Sequence, residues 1–537
     1  MRRPVRAFAM AIAASLLLAS GVAAVGPGGW GHLGTGATSA TASLNGAVYA
    51  VNSEDPGVLL VGGNFTSAGG NANGARVATW NGSAWGALNG APISNGSVFA
   101  LAYAGGKVFA GGTFLNAGGD PNADYLAEWN GSGWVSACGS GPGPAFTATV
   151  DALQVIGSTL YVGGSFANAG GIASADFLAA CDIPSGVVTS VFAADGDMNG
   201  GVTALTADSN GTLYAGGQFI NVEGIAAADH VAAYSGGTWH AMGSGGGSGG
   251  GAIDSHVRAL AAHGTDVYVG TDSVDVGGVA LADHVARWNG SAWSAVGSNT
   301  PGTNGWFPAT AFINALATVG PMVFAAGSFQ NANGVATADA IAYFDGSVWR
   351  PIGSNGAGNG PMGGSLNVLS VFRSKVYTAG NFTSAGGDTR ASGLAAYALM
   401  LPDARIATVS TGPFTGNNVF SATAAGESRS RTVSHRHTGT FYVSIQNDGL
   451  VSASFTVKGT GSARGYTVRY YRGATSVTTA VKAGTYSTGS IAARSAITLK
   501  VVVSVAGSSA ASVSYLVKAT SVSGTPADAV KVKVKAR

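Results

Sequence analysis

Charge is scarce in this chain, cysteine is scarcer, and long apolar runs stop after the first two dozen residues. Charged residues make up 10% of the 537, so the chain is weakly charged overall and lacks the highly charged composition of a disordered chain. No recognisable nucleic-acid reader motif stands in it. Two cysteines, Cys138 and Cys181, exclude a cysteine-based metal cluster and a disulfide-dense scaffold. Two readings of them stay open: a disulfide in an exported protein, or two small buried apolar residues. Past residue 24 no run reaches about eighteen apolar residues, so no later transmembrane helix is expected. No Ser/His/Asp motif, phosphate-cradling glycine loop or paired-glutamate signature stands out.

Glycine, at 86 residues, is what the chain has in excess, and 46% hydrophobic content argues for packed, turn-rich structure over disorder. The N-terminus carries Arg2, Arg3 and Arg6, an apolar run from Ala7 to Leu18, and the small residues Val22-Ala23-Ala24. This is the pattern of a secretory signal over 1–24, and it predicts a secreted or cell-surface protein.

The glycines are ordered. A glycine doublet and a phenylalanine recur at Gly62-Gly63-Asn64-Phe65, Gly111-Gly112-Thr113-Phe114, Gly163-Gly164-Ser165-Phe166 and Gly216-Gly217-Gln218-Phe219. A degraded copy stands at Gly270-Thr271-Asp272-Ser273, then Gly327-Ser328-Phe329 and Gly380-Asn381-Phe382 complete seven. The period is about 53 residues, in the range of propeller blades and not of helical solenoid units.

Within one repeat, Val98–Ala102 alternates as a first strand, Lys107–Gly111 is a second, Tyr125–Trp129 a third and Trp134–Ala137 a fourth. The Asn130-Gly131 pair between the last two supplies a tight turn, and recurs at Asn81-Gly82, Asn289-Gly290 and Asp345-Gly346. The glycine doublet is expected to let neighbouring blades approach closely. Aromatic pairs such as Trp80/Trp85, Trp129/Trp134 and Trp288/Trp293 read as packing between blades. The seventh repeat lacks its fourth strand, and Trp30–Gly34 has the matching pattern, so the N-terminal segment is expected to close the ring.

This combination resembles the kelch-like propellers of the galactose oxidase central-domain type. The phrase from Gly62 to Gly70 is similar to repeats of bacterial extracellular propellers. The resemblance covers roughly residues 30–400 and implies architecture, not activity. The predicted fold class is all-β: a seven-bladed β-propeller over 25–400, followed by an immunoglobulin-like β-sandwich over 401–537.

The second-to-third-strand loop and the blade-to-blade loop are both long and should share one face, where function is expected. Asp124, Asp176, Asp229, Asp283 and Asp339 recur directly before the third strand. They are candidates for binding a cation or sugar hydroxyls, against the plainer role of satisfying backbone N–H groups in their own loops. His230 and His284 follow two of them and are candidate metal ligands, against the absence of a third histidine in register. No cofactor is predicted, although these groups leave room for a divalent cation.

Charge divides the chain. Residues 25–400 hold 8 Lys+Arg against 21 Asp+Glu, and residues 401–537 hold 16 against 4. Lys531, Lys533 and Lys535 alternate along one strand as candidates for attachment to an anionic surface. The expected function is a secreted, non-enzymatic binding or scaffold protein. Its long-loop face would take a glycan or extracellular protein, and its basic domain an anionic envelope polymer. Nucleic acid is not expected as a partner. A galactose oxidase-like metal-dependent or carbohydrate-active enzyme is the alternative, and a structural matrix protein the second.

Overall fold

The computed structural model describes residues 29–34, 42–139, 143–193, 198–245, 250–300, 302–417, 421–463, 465–507, 512–521 and 527–537. The expected signal segment 1–24 lies outside them. The chain is all-β, built of small antiparallel sheets. Seven of these have four strands.

The second sheet is representative, with strands Val98–Ala104, Lys107–Gly112, Leu126–Trp129 and Trp134–Ser136 paired in chain order. The third strand begins one residue later than its sequence suggests, because Tyr125 adopts a left-handed φ of 59° and sits outside the ladder. In the seventh sheet the chain order breaks. Trp30–Gly31 pairs with Leu394–Ala398 as the fourth strand, with Trp30 opposite Tyr397. His32 then reaches Asp388 at 2.6 Å in a buried pair that fastens the N-terminal segment to the seventh sheet.

First strands pack against one another in succession, from Val48–Asn52 through to Leu366–Phe372 and back to Val48–Asn52. The seven sheets thus form a closed ring with the first strands on the inside. The doublet glycines make this approach possible: a Cβ on Gly111 would lie 2.4 Å from Val150 Cγ1, and one on Gly163 would lie 2.6 Å from Val202 Cγ1.

Tryptophan fastens six of the seven sheets to the one before it. The indole N–H groups of Trp30, Trp239, Trp293 and Trp349 donate to the carbonyls of Ile352, Val191, Met242 and Val296, each just past the fourth strand of the preceding sheet. Trp85 donates to Leu33 in the same way, and Trp129 to Asn89. The third sheet carries Cys181 and Val188 where the others carry aromatics. There, Cys181 is disulfide-bonded to Cys138. Cys181 occupies the register position of Trp129, and Cys138, four residues after Trp134, matches Asn89, four after Trp85. A covalent bond therefore stands where the indole hydrogen bond stands elsewhere.

The C-terminal region forms two five-stranded sheets. One is ordered Pro402–Ala407, Thr438–Asn447, Ala496–Val505, Tyr466–Arg472, Thr475–Ser476; the other Ser428–Val433, Ala527–Ala536, Ser512–Ser521, Phe455–Gly459, Tyr486–Ser487. They enclose a core that includes Phe441, Val443, Leu499, Val501, Tyr515 and Val532. Six strands follow the alternations visible in sequence. Pro402–Ala407, the parallel strand Ser428–Val433 and the helix Thr478–Ala483 do not.

Candidate functional site

The long loops do share one face. Gly69, Gly170, Gly277 and Gly386, in second-to-third-strand loops, donate backbone N–H to Ser43, Ala145, Ala252 and Pro361 in the adjoining sheet-to-sheet loops. The C-terminal sheets meet the ring on the opposite, tight-turn side. The N–H groups of Asp448 and Leu450 donate to the carbonyls of Leu401 and Leu399, and Arg494 Nη2 donates to the Tyr343 hydroxyl at 3.3 Å. Among the described residues the C-terminal sheets leave the long-loop face uncovered.

The recurring aspartates lie on that face in a repeated role. Oδ1 of Asp124, Asp176, Asp229, Asp283 and Asp339 accepts the backbone N–H of Asn116, Asn168, Asn221, Asp275 and Asn331, at 2.6–3.0 Å. Oδ2 of Asp283 and of Asp339 also accepts the N–H of Gly305 and Gly360. The residue after each aspartate is left-handed: Tyr125, Phe177, His230, His284 and Ala340 all have φ near 60°. Each carboxylate thus holds the loop that leads into this strained entry to the third strand.

His230 and His284 are two of these left-handed residues. Histidine is among the few non-glycine residues enriched in that region, which accounts for both without a metal. Their Nδ1 atoms lie 3.4 Å from the carbonyls of Gly217 and Thr271, each within its own sheet. Burial lowers the His284 pKa and favours its neutral form. Among the described residues no three His, Cys, Asp or Glu side chains are grouped to hold a metal ion.

Two features of the face were not legible as sites. One is a cleft of about 540 Å³ between the sixth and seventh sheets, lined by Gln330, Asp339, Asn355, Asn359, Ser365 and Ser384 among others. Its walls combine amides and hydroxyls with the apolar Phe329, Ala340, Pro361 and Met362, and with the Asp339 carboxylate, both of whose oxygens accept loop N–H groups. The other lies beside it toward the ring axis. Asn314 Nδ2 donates to Leu366 O at 3.0 Å and lies 3.4 Å from Ser365 Oγ, joining the cleft wall to the inner strands. Further round the axis, Arg258 is held by Asp272 in a two-pronged pair at 2.7 and 2.8 Å. Its guanidinium covers Phe312, which is 43% exposed.

Lys531, Lys533 and Lys535 stand on the outer face of the second C-terminal sheet. Through parallel pairing they lie beside Ser428, Ser430 and Thr432, and through antiparallel pairing opposite Leu516, Ser514 and Ser512. On the same sheet Lys458 stands directly opposite Lys518. The four acidic residues of this region lie elsewhere: Asp403, Glu427 and Asp528 are fully buried, and Asp448 sits at the junction with the ring.

No family model matches the chain, and no curated protein matches it in sequence. Among solved structures it is similar in part to a family 123 glycoside hydrolase from Clostridium perfringens, at 4% identity and TM-score 0.15 over 21% of this chain and 23% of that one. A PapD-like domain of human CEP192 matches at 10% identity and TM-score 0.14, over 21% of this chain and 81% of that one. The secreted serine protease VesC from Vibrio cholerae matches at 10% identity and TM-score 0.16, over 31% and 36%. This chain spans about a quarter of the hydrolase and a third of the protease, and scores this low carry no functional argument.

Proposed function

We propose that the seven-sheet ring is a seven-bladed β-propeller of kelch-like type, joined to an immunoglobulin-like sandwich, and that the protein is an exported, non-enzymatic binding protein. Its long-loop face takes a glycan, and its sandwich attaches to an anionic envelope polymer. The observation that carries the first part is the cleft between the sixth and seventh sheets. Amide and hydroxyl side chains such as Gln330, Asn355 and Asn359 converge there, and such groups match the paired donors and acceptors of sugar hydroxyls. Support for the second part comes from the five lysines on one sheet face. Lys458 opposite Lys518 is a like-charge cross-strand pair, unfavourable until an anion neutralises it.

The test is a saccharide-binding screen with the whole chain, followed by Gln330→Ala and Asn359→Ala. A saccharide that binds the parent and loses tenfold or more in affinity with both substitutions supports the reading. Binding that neither substitution changes removes the cleft from the site, and absence of binding across neutral, anionic and amino saccharides contradicts the glycan.

A further inference from the structure

Each of the seven first strands carries the same local pattern, apolar-x-small-apolar, with Val368 replacing the small residue in the seventh. It reads Val48-Tyr49-Ala50-Val51, Val98-Phe99-Ala100-Leu101, Val150-Asp151-Ala152-Leu153, Val202-Thr203-Ala204-Leu205, Val257-Arg258-Ala259-Leu260, Ile313-Asn314-Ala315-Leu316 and Leu366-Asn367-Val368-Leu369. The first and fourth positions are apolar in every repeat, and the third is alanine in six of the seven. The second position is tyrosine, phenylalanine, aspartate, threonine, arginine, asparagine and asparagine in turn.

The ladder gives the physical reason. In all seven sheets the pairing register shifts across this position, as between Val48 and Ala50 or Val150 and Ala152, so x is a bulge residue that the sheet does not use. It stands on the innermost strand, at the end nearest the long loops. From there it reaches sideways to the next sheet. The Tyr49 and Phe99 rings meet at 5.3 Å, Thr203 Oγ1 donates to Val257 O at 2.8 Å and lies 3.1 Å from His256 Nε2, and Asn314 bonds to Leu366 O. A position freed from framework duty, and varied while its neighbours repeat, is where a repeat ring can build a specific site.

Of the two charged members, Arg258 is already neutralised by Asp272. Among the described residues Asp151 has no hydrogen-bond or ion-pair partner, and burial alone pushes its carboxyl up to about 6. The axis mouth therefore offers, among the described residues, one uncompensated carboxylate at neutral pH, an aromatic pair beside it, and on the remaining sides amide and hydroxyl groups and the Arg258–Asp272 pair.

We propose that the long-loop end of the ring axis is a subsite for a sugar carrying a free amine, with Asp151 meeting the ammonium and the Tyr49–Phe99 pair covering an apolar face of the sugar ring. This rests on the glycan reading above and names the class of sugar. A carboxylate meeting an ammonium in a partly dry mouth gains a charge-assisted hydrogen bond, and an N-acetylated sugar cannot supply the charge.

The experiment is calorimetric titration of the whole chain, near neutral pH, with oligomers of glucosamine and of N-acetylglucosamine. The glucosamine oligomer is expected to bind at least tenfold more tightly. Asp151→Asn, which removes a carboxylate penalised by burial, should abolish that preference without lowering the melting temperature. Tyr49→Ala should weaken both oligomers. Equal affinity for the two oligomers, or a preference that survives Asp151→Asn, overturns the subsite. If the N-acetylated oligomer nevertheless binds and Gln330→Ala removes it, the cleft reading stands alone. An oligolysine peptide that binds through Asp151 when no saccharide does overturns both.

Discussion

At the scale of single residues, the five recurring aspartates show how a framework role can imitate a site. Their repetition before each third strand was legible, and so was the possibility that they serve backbone N–H groups. The left-handed residue after each one was not, because Tyr, Phe, His and Ala have no common side-chain signal for a positive φ. The number of N–H groups held predicts the cost of removal. Asp283 holds those of Asp275 and Gly305, whereas Asp176 holds one, that of Asn168. Asp283→Ala should cost about 2–4 kcal/mol and Asp176→Ala about 1–2 kcal/mol, from roughly 1–2 kcal/mol for each partly buried donor left unpaired. Chemical denaturation of the two variants checks the order. Equal losses would mean that the second hydrogen bond contributes nothing.

At the scale of elements, the strands inside each repeat were readable because alternation, glycine doublets and Asn-Gly turns agree with one another. The disulfide was not. A separation of 43 residues does not reveal that Cys181 faces the end of the preceding sheet, since that requires knowing which residues of neighbouring repeats stand opposite each other. With the register known, Cys138–Cys181 takes the place of the indole latch in the one sheet of the seven without either aromatic. In the chain-entropy picture, closing a loop of that size contributes about 4 kcal/mol, against about 1 kcal/mol for an indole hydrogen bond. Cys181→Ser should therefore lower the melting temperature more than Trp349→Phe does, and reducing agent should lower the parent but not the Cys181→Ser variant. A parent that melts identically with and without reductant would refute this.

At the scale of the whole molecule, the ring order and its closure by Trp30–Gly31 followed from a fourth strand missing at one end of the repeat and present at the other. The C-terminal region was less legible, because Ser428–Val433 is polar on both faces and pairs in parallel with the last strand. Its acidic residues are where pH should act. Burial, with Asp528 and Asp403 nearby, pushes the Glu427 carboxyl up to about 9, and burial pushes Asp528 up to about 7 against three backbone hydrogen bonds. Both values lie above those of an unfolded chain, about 4, so the native state binds more protons through this window. Stability of the C-terminal sheets should then fall as pH rises from about 4 toward 9. Glu427→Gln should flatten that fall, read by scanning calorimetry at pH 5, 7 and 9, and a parent whose C-terminal transition does not move with pH would refute it.

The open long-loop face and the lysine face belong to different parts of the molecule, and the C-terminal sheets dock on the tight-turn side of the ring. One chain should therefore hold both partners together. The most direct measurement is capture of a saccharide by the whole chain already bound to an immobilised phosphodiester polymer, at low and high salt. The account predicts that the polymer-bound chain captures saccharide as fully as the free chain, and that salt releases chain and saccharide together. A chain that does not bind the polymer, or that loses its saccharide on binding it, would contradict the account.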